Sequence, residues 1–373
     1  MKAPAFWYGP DCFQARLLAP LGLVYRAAGL LRRAVATPYR ASVPVICIGN
    51  VVAGGAGKTP TALALADLLK RQGANPAFVS RGYGGTEAGP LRVDLSHHTA
   101  EQVGDEALLL AVKAPCWIGH DRAAAVRAAE PHASHIILDD GLQNPSVAPS
   151  LSLLVIDGET GLGNGRLIPA GPLRETLADA LGRVDAIVLI GEDQQGIKSL
   201  IQGQKDQNGA SSPPLLSQGQ APAGIQRDPG LDPGEHMTHT ARRRGPLDSR
   251  FRGNDTVLLL HASLQPRLPD DFPRRRDYFA FAGIGRPEKF YASCRLAGLN
   301  IVSTLDFPDH HPFSAKELAD LAEHARVRKE KLITTAKDWA RLPADFRTQV
   351  EVLPVELVFE DEAALMGLMS AVR

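Results

Sequence analysis

Lys58 and Thr59 close a glycine-rich turn, Val52-Ala53-Gly54-Gly55-Ala56-Gly57-Lys58-Thr59-Pro60, and four carboxylates, Asp105, Glu106, Asp139 and Asp140, follow it. Together these residue types can hold a polyphosphate and a divalent cation. Glycines let the backbone curl so that several N–H groups, here those of Val52 through Thr59, face one anion. The start of a following helix adds partial positive charge, and a lysine placed like Lys58 reaches the β- and γ-phosphates. A hydroxyl placed like that of Thr59 ligates Mg²⁺. The strict pattern G-x-x-x-x-G-K-[ST] is not met, because Val52 stands where its first glycine belongs. The loop is a variant.

Such a loop works only between a strand and a helix. The apolar run Val45 to Asn50 before it and the alanine- and leucine-rich run Thr61 to Leu69 after it supply both. Pro76 to Ser80 reads as a second strand and leads into Arg81-Gly82-Tyr83-Gly84-Gly85, which suits either a loop shaped round a ligand or an ordinary turn. Gly104-Asp105-Glu106 opens a helical run over Ala107 to Val112. Its two carboxylates could serve the cap and the macrodipole, or offer a base or a metal contact. His135 to Asp139 is an apolar strand ending in Asp139-Asp140-Gly141. In a parallel sheet, carboxylates at that end share an edge with the phosphate loop, so one of them can hold Mg²⁺ directly or through water.

Ser152 to Asp157 and Val184 to Ile190 are further strands, and Arg166 and Arg174 between them lie on Pro/Gly-rich loops that suit anion contacts or solvent. Alternation of strands and helices predicts an open α/β fold with a P-loop NTPase-like parallel sheet over 45–191. From 192 to 256 Gln, Gly, Ser and Pro dominate and periodicity is lost, as in a low-complexity, disordered insertion. From 257 to 373 strands and helices resume as a second, smaller α/β lobe, with Asp309-His310-His311 and Lys337-Asp338 on its loops. A histidine charged by Asp309 suits proton handling.

Residues 1–44 form a third kind of segment. On a helix from Phe13 to Val35, one stripe collects Phe13, Leu17, Leu21, Val24, Ala28, Leu31 and Val35, with Arg26 and Arg33 roughly opposite. The uninterrupted apolar run, Leu17 to Tyr25, falls well short of the roughly 20 residues of a membrane span. The segment predicts a helix lying in a membrane interface, with Phe6, Trp7 and Tyr8 near the headgroups and the arginines on anionic lipid. A helix packed on the protein's own core is the competing reading.

With 41 basic and 41 acidic residues among 373, no global field favours nucleic acid. Four cysteines, Cys12, Cys47, Cys116 and Cys294, lack C-x-x-C spacing, which fits a reducing compartment and argues against structural zinc.

Taken in order, Gly49-Asn50 before the phosphate loop, Ser80-Arg81-Gly82-Tyr83-Gly84, Gly104-Asp105-Glu106, Asp139-Asp140-Gly141-Leu142-Gln143, Pro169 to Glu175, Asp309-His310-His311 and Thr335-Ala336-Lys337-Asp338 resemble the tetraacyldisaccharide 4′-kinases of lipid A synthesis. The resemblance implies transfer of the ATP γ-phosphate to the 4′-hydroxyl of a lipid-linked glucosamine disaccharide, giving lipid IVA, by a monomer at the cytoplasmic face of the inner membrane. It implies Asp105 as the base, His310 as its partner and Lys58 as the γ-phosphate ligand. Thr59 with Asp139 or Asp140, and also Glu106, would hold Mg²⁺, while Arg81, Tyr83, Arg174 and Lys337 would shape the substrate cleft. Asn144 and Ala336 depart from the family's usual histidine and glutamate. Two other classes compete. A P-loop switch ATPase without a lipid acceptor tends to carry a lysine where this chain has Ala53, and a nucleotide-holding membrane module would leave Asp105 and His310 without a task.

Overall fold

A computed structural model describes residues 4–10, 12–209 and 257–371. The strands are β1 (Val45–Gly49), β2 (Pro76–Ser80), β3 (Leu91–Arg92), β4 (Cys116–Ile118), β5 (His135–Asp139), β6 (Leu151–Asp157), β7 (Ala186–Ile190), β8 (Leu258–Pro266), β9 (Asp277–Ala282), β10 (Asn300–Asp306), β11 (Lys331–Thr334), β12 (Val350–Val352) and β13 (Val355–Phe359). Nine of them form one sheet in the order β13-β8-β7-β6-β1-β5-β2-β4-β3, and β10-β9-β11-β12 form another.

The central strands of the large sheet are parallel, and β1, β2, β6 and β7 are buried at every position. That explains their continuous Val/Ile/Leu runs, since helices cover both faces of a parallel sheet. Parallel register brings Gly49, Ser80, Asp139 and Asp157, all strand ends, to one edge. In open α/β sheets this edge takes the ligand.

In the smaller sheet the sides of β9 alternate. Tyr278, Ala280 and Ala282 pack with Phe290, Tyr291 and Cys294 of the helix Pro287–Leu296, while Phe279 and Phe281 pack with Leu318 and Leu321 of the helix Ala315–Arg328. The boundary expected at 257 is corrected by the pairing. β8 runs parallel to β7, and β13 runs antiparallel to β8 with Val355 opposite Pro266, so both complete the large sheet. The second lobe is the excursion between them, 267–354. Of the expected insertion, 210–256 lies outside the described residues, and a helix over Ile197–Gly209 leads into it.

The N-terminal helix, Phe13–Ala34, turns its two faces the opposite way from a soluble helix. Ala15 and Gly22 are buried, and a Cβ on Gly22 would approach Leu167 Cβ to 3.0 Å. Arg26 pairs with Asp179 at 2.8 Å and Arg33 with Glu175 at 2.7 Å. Phe13, Leu17, Leu21, Val24, Leu31 and Val35 are all exposed. The apolar stripe expected from the sequence therefore faces outward, but Arg26 and Arg33 do not face lipid as expected. They dock the helix on the protein. Trp7 is likewise tied down, its Nε1 donating to Pro169 O at 3.1 Å, and of the expected aromatic trio only Tyr8 is exposed. Among the described residues, no helix is long and apolar enough to cross a membrane.

Candidate active site

The phosphate loop leaves β1 and re-enters regular structure at Lys58, the first residue of the helix Lys58–Arg71. Gly57 makes that turn at φ +88°, a left-handed conformation that disfavours other side chains. Lys58 Nζ lies 3.3 Å from Asn50 Oδ1 and 3.7 Å from Asp140 Oδ1. Asn50 is held in turn, its Nδ2 donating to Gly54 O at 3.2 Å. The first part of the loop is occupied by the protein itself: Val52 bridges Leu173, and the Ala53 N–H donates to Pro172 O at 2.8 Å. Ala53 is thereby removed from the expected anion cradle as a donor.

Both candidate aspartates at the end of β5 are present, in opposite electrostatic states. Asp140 adopts φ +53°, and Arg174 Nη1 donates to both its oxygens at 3.0 Å. Burial would raise this carboxyl, but Lys58 and Arg174 outweigh it and hold Asp140 below the usual carboxylate range. Arg174, expected to shape the substrate cleft, is here the ion-pair partner of Asp140. Asp139 is 1% exposed and its Oδ1 has no hydrogen-bond partner. Burial first, then the nearby Glu106 charge, pushes it up to about 7.

Gly104 lets the next helix, Asp105–Lys113, start against the Tyr83 loop. Its φ is +86°, and a Cβ there would sit 2.5 Å from Tyr83 O. The first two residues of this helix meet both lobes. Glu106 Oε1 lies 3.5 Å from Thr59 Oγ1 and accepts from Lys337 Nζ at 2.6 Å. Asp105, 4% exposed, accepts at Oδ2 from Arg341 Nε at 2.9 Å and lies 3.1 Å from His310 Nδ1. Burial raises the Asp105 carboxyl, but the His310 hydrogen bond and the charges of Lys337 and Arg341 prevail and hold it far below the usual range. An ionised carboxylate only accepts, so His310 Nδ1 carries the proton of this bond. The same bond lifts His310 above its ordinary value against the effect of burial. His310 sits at φ +58°, a left-handed conformation that concentrates at functional sites, and the Tyr83 ring stands 5.8 Å away, edge-on.

Of the remaining expected residues, Arg81 is exposed at the end of β2 and Tyr83 is 65% exposed. His311 turns away, 2.9 Å from Glu317 and stacked on Phe307. Sequence reasoning missed four charged residues. Arg341 falls four residues after Lys337 on one short helix, Ala336–Arg341, the available signal for a shared face. Arg122, 4% exposed with an unpartnered Nε, feels the charges of Asp139 and Asp140, and only its apolar alanine-rich surroundings in sequence mark it as unusual. Arg286 and Lys289 reach from the second lobe to Asp157 and Glu159 of the first. No spacing signals that contact.

Among the described residues no three His, Cys, Asp or Glu side chains converge as a metal cluster. The Thr59 hydroxyl, 3.5 Å from Glu106 Oε1, and the unpartnered Oδ1 of Asp139 are oxygen donors of the kind Mg²⁺ takes when phosphate oxygens and water complete its shell.

A family model described as tetraacyldisaccharide-1-P 4′-kinase matches residues 14–372. The chain belongs to this family. The tetraacyldisaccharide 4′-kinase of Rhodospirillum centenum is 44% identical over 99% of this chain and 96% of its own, and that of Methylobacterium radiotolerans 46% identical over 98% and 97%. The fold is similar to that of LpxK from Aquifex aeolicus, solved in complex with ATP, at a TM-score of 0.67 and 24% identity over 96% of this chain and 99% of that one. The arrangement has a simple division: Lys58, Thr59, Asp105, Glu106, Asp139 and Asp140 lie beside the large sheet, and the second lobe brings His310 and Arg341 to Asp105 and Lys337 to Glu106.

Proposed function

We propose that this chain moves the γ-phosphate of ATP to the 4′-hydroxyl of a tetraacyl glucosamine disaccharide 1-phosphate, forming lipid IVA in lipid A synthesis, with Asp105 as the base. The observation that carries the reading is the helix start at Asp105 and Glu106. Glu106 touches Thr59 of the phosphate loop while Asp105 touches His310 of the other lobe, so the phosphate and proton machinery meet within two residues. Gly54 to Gly57 and Lys58 bind the triphosphate, and Lys58 neutralises charge on the group in transfer. Phosphoryl transfer asks mainly for positioning and charge neutralisation. Thr59, Asp139 and Glu106 fit Mg²⁺, since Asp139 offers a buried oxygen without a partner and the two carboxylates disfavour each other's charge. Bound there, the cation neutralises phosphate charge. Asp105 takes up the hydroxyl proton, and protonated His310 keeps Asp105 ionised beforehand. Arg81 and Tyr83, exposed beside His310 and the end of β2, contact the sugar acceptor.

We infer that the outward apolar stripe of the N-terminal helix lies in a membrane interface, and that the enzyme works as a monomer at the cytoplasmic face of the inner membrane; the exposure of Phe13, Leu17, Leu21, Val24 and Leu31 supports the membrane contact. Burying such a stripe is favourable at about 25 cal/mol per Å². Transfer of labelled γ-phosphate to detergent-dispersed lipid by wild type and Asp105→Ala tests the reading. Label in the lipid, sharply reduced by the substitution, is expected. Release of inorganic phosphate alone would leave a switch ATPase.

A further inference from the structure

The Asp105 carboxylate is held from three directions. Oδ1 accepts from the Glu106 N–H at 2.8 Å, and Oδ2 accepts from Arg341 Nε at 2.9 Å and from His310 Nδ1, 3.1 Å away. A carboxylate has roughly four acceptor positions, so only Oδ1 keeps one open. Two of the three partners belong to the second lobe. Arg341 is itself fixed: Nη1 donates to Asp338 Oδ1 at 3.1 Å and to Gly283 O at 3.2 Å. Asp338 is fully buried and is locked by the Gly283 N–H at 3.0 Å and the Thr335 hydroxyl at 2.7 Å. A guanidinium with this rigid fork presents donors to two carboxylates at once, which a lysine ammonium on a flexible stem does not reproduce.

We propose that Arg341 is a positioning residue for the transfer reaction, which together with His310 pins Oδ2 of Asp105, sets the rotation of the carboxylate and leaves Oδ1 as the oxygen that receives the hydroxyl proton. The inference rests on Asp105 as the base. Arg341 touches neither phosphate loop nor metal group. Its influence runs to Asp105, directly and through the Gly283 carbonyl that the His310 N–H also uses at 3.0 Å, from a scaffold of Asp338, Thr335 and Gly283 that lies wholly in the second lobe. The step balances: the acceptor O–H breaks and its proton passes to Oδ1, the freed oxygen bonds to the γ-phosphorus of ATP, and the bond from that phosphorus breaks to release ADP.

The test measures kcat and KM for ATP and for the lipid in Arg341→Ala and Arg341→Lys, with Asp105→Ala alongside and melting temperatures recorded for all. A misplacement of about 1 Å at a reacting group lowers rates on the order of 100-fold. Arg341→Ala should therefore lose about 10- to 100-fold in kcat with both KM values within about two-fold, and added guanidinium ion should restore part of the loss in Arg341→Ala but none in Asp105→Ala. Arg341→Lys should fold with a melting temperature near wild type yet stay about ten-fold slow. If Arg341→Ala does not fold, Arg341→Lys decides alone. Wild-type kcat in Arg341→Lys, or losses of kcat that follow the melting temperature without guanidinium rescue, would overturn the positioning role. A large effect at Asp105 with none at Arg341 removes this inference only, whereas a negligible effect of Asp105→Ala removes the base itself.

Discussion

Arg33 of the N-terminal helix donates to Glu175 at 2.7 Å, and Glu175 directly follows Arg174, the residue that grips Asp140. Glu175 is 1% exposed and also receives Gln143 and Arg183, while Gln143 donates to the Asn50 carbonyl. The outward-facing helix is thereby wired to the phosphate loop through one buried carboxylate. Removing Arg33 leaves that carboxylate with fewer donors, at a cost of about 1–3 kcal/mol. Arg33→Ala should lower unfolding stability by that amount in urea titration, and Arg26→Ala, whose side chain is 40% exposed, by clearly less.

Substitutions on the opposite face should separate membrane binding from folding. Leu17→Glu and Val24→Glu alter residues that are 65% and 66% exposed, so the melting temperature should stay within a few degrees of wild type. Co-sedimentation with phospholipid vesicles should fall sharply. Unchanged sedimentation would show that the stripe is not the membrane face.

Lys58→Ala should reduce kcat at least as much as Asp105→Ala. A positioned base contributes on the order of 10²–10⁴ in rate, whereas the transfer itself depends on charge neutralisation at the phosphate. Steady-state kinetics on the two variants decides the order.

Asp139→Asn gives a reading of the cation site that does not need turnover. A buried carboxylate without a partner is costly to the fold, so in the absence of metal the variant should be at least as stable as wild type. Wild type should gain stability as Mg²⁺ is added, about 2.7 kcal/mol at a hundred-fold excess over Kd. The variant should gain much less. Equal gains in thermal melts would place the cation elsewhere.

The Asp105–His310 pair should give stability a definite pH dependence. His310 is lifted above 6.5 by its hydrogen bond to Asp105, and Asp105 stays ionised throughout the neutral range. Stability from a group raised on folding is fully present below its unfolded value and is lost as pH rises through the folded one. Wild type should therefore exceed His310→Gln most at pH values below about 6.5, with the gap closing above the raised value. Urea titrations at several pH values measure it, and a gap that widens with pH contradicts the ion pair.

The phosphate loop, its flanking strand and helix, and the carboxylates at the end of β5 were legible because each is a local pattern tied to one backbone geometry. Asn144 also yields to local reasoning: its N–H donates to Gly141 O at 2.9 Å and its side chain accepts from Ser146 N at 3.0 Å, a turn role that needs no histidine. Arg341, Arg286 and Lys289 were not legible, since their partners lie more than a hundred residues away and a charged residue on a short helix reads as solvated. The stripe of the N-terminal helix was visible, but not that its arginines bind the protein, because helical spacing gives the faces and not what each one meets.

The chain passes between the lobes twice, through Pro266 and Val355, which lie opposite one another in the same sheet. Deleting the excursion would thus leave two ends already side by side, joinable by a short turn. What remained would keep Lys58, Thr59, Asp105, Glu106, Asp139 and Asp140 but lose His310, Lys337 and Arg341 together. In this architecture the groups that hold the Asp105 carboxylate are thus separable from the phosphate loop, whereas Asp105 itself is not.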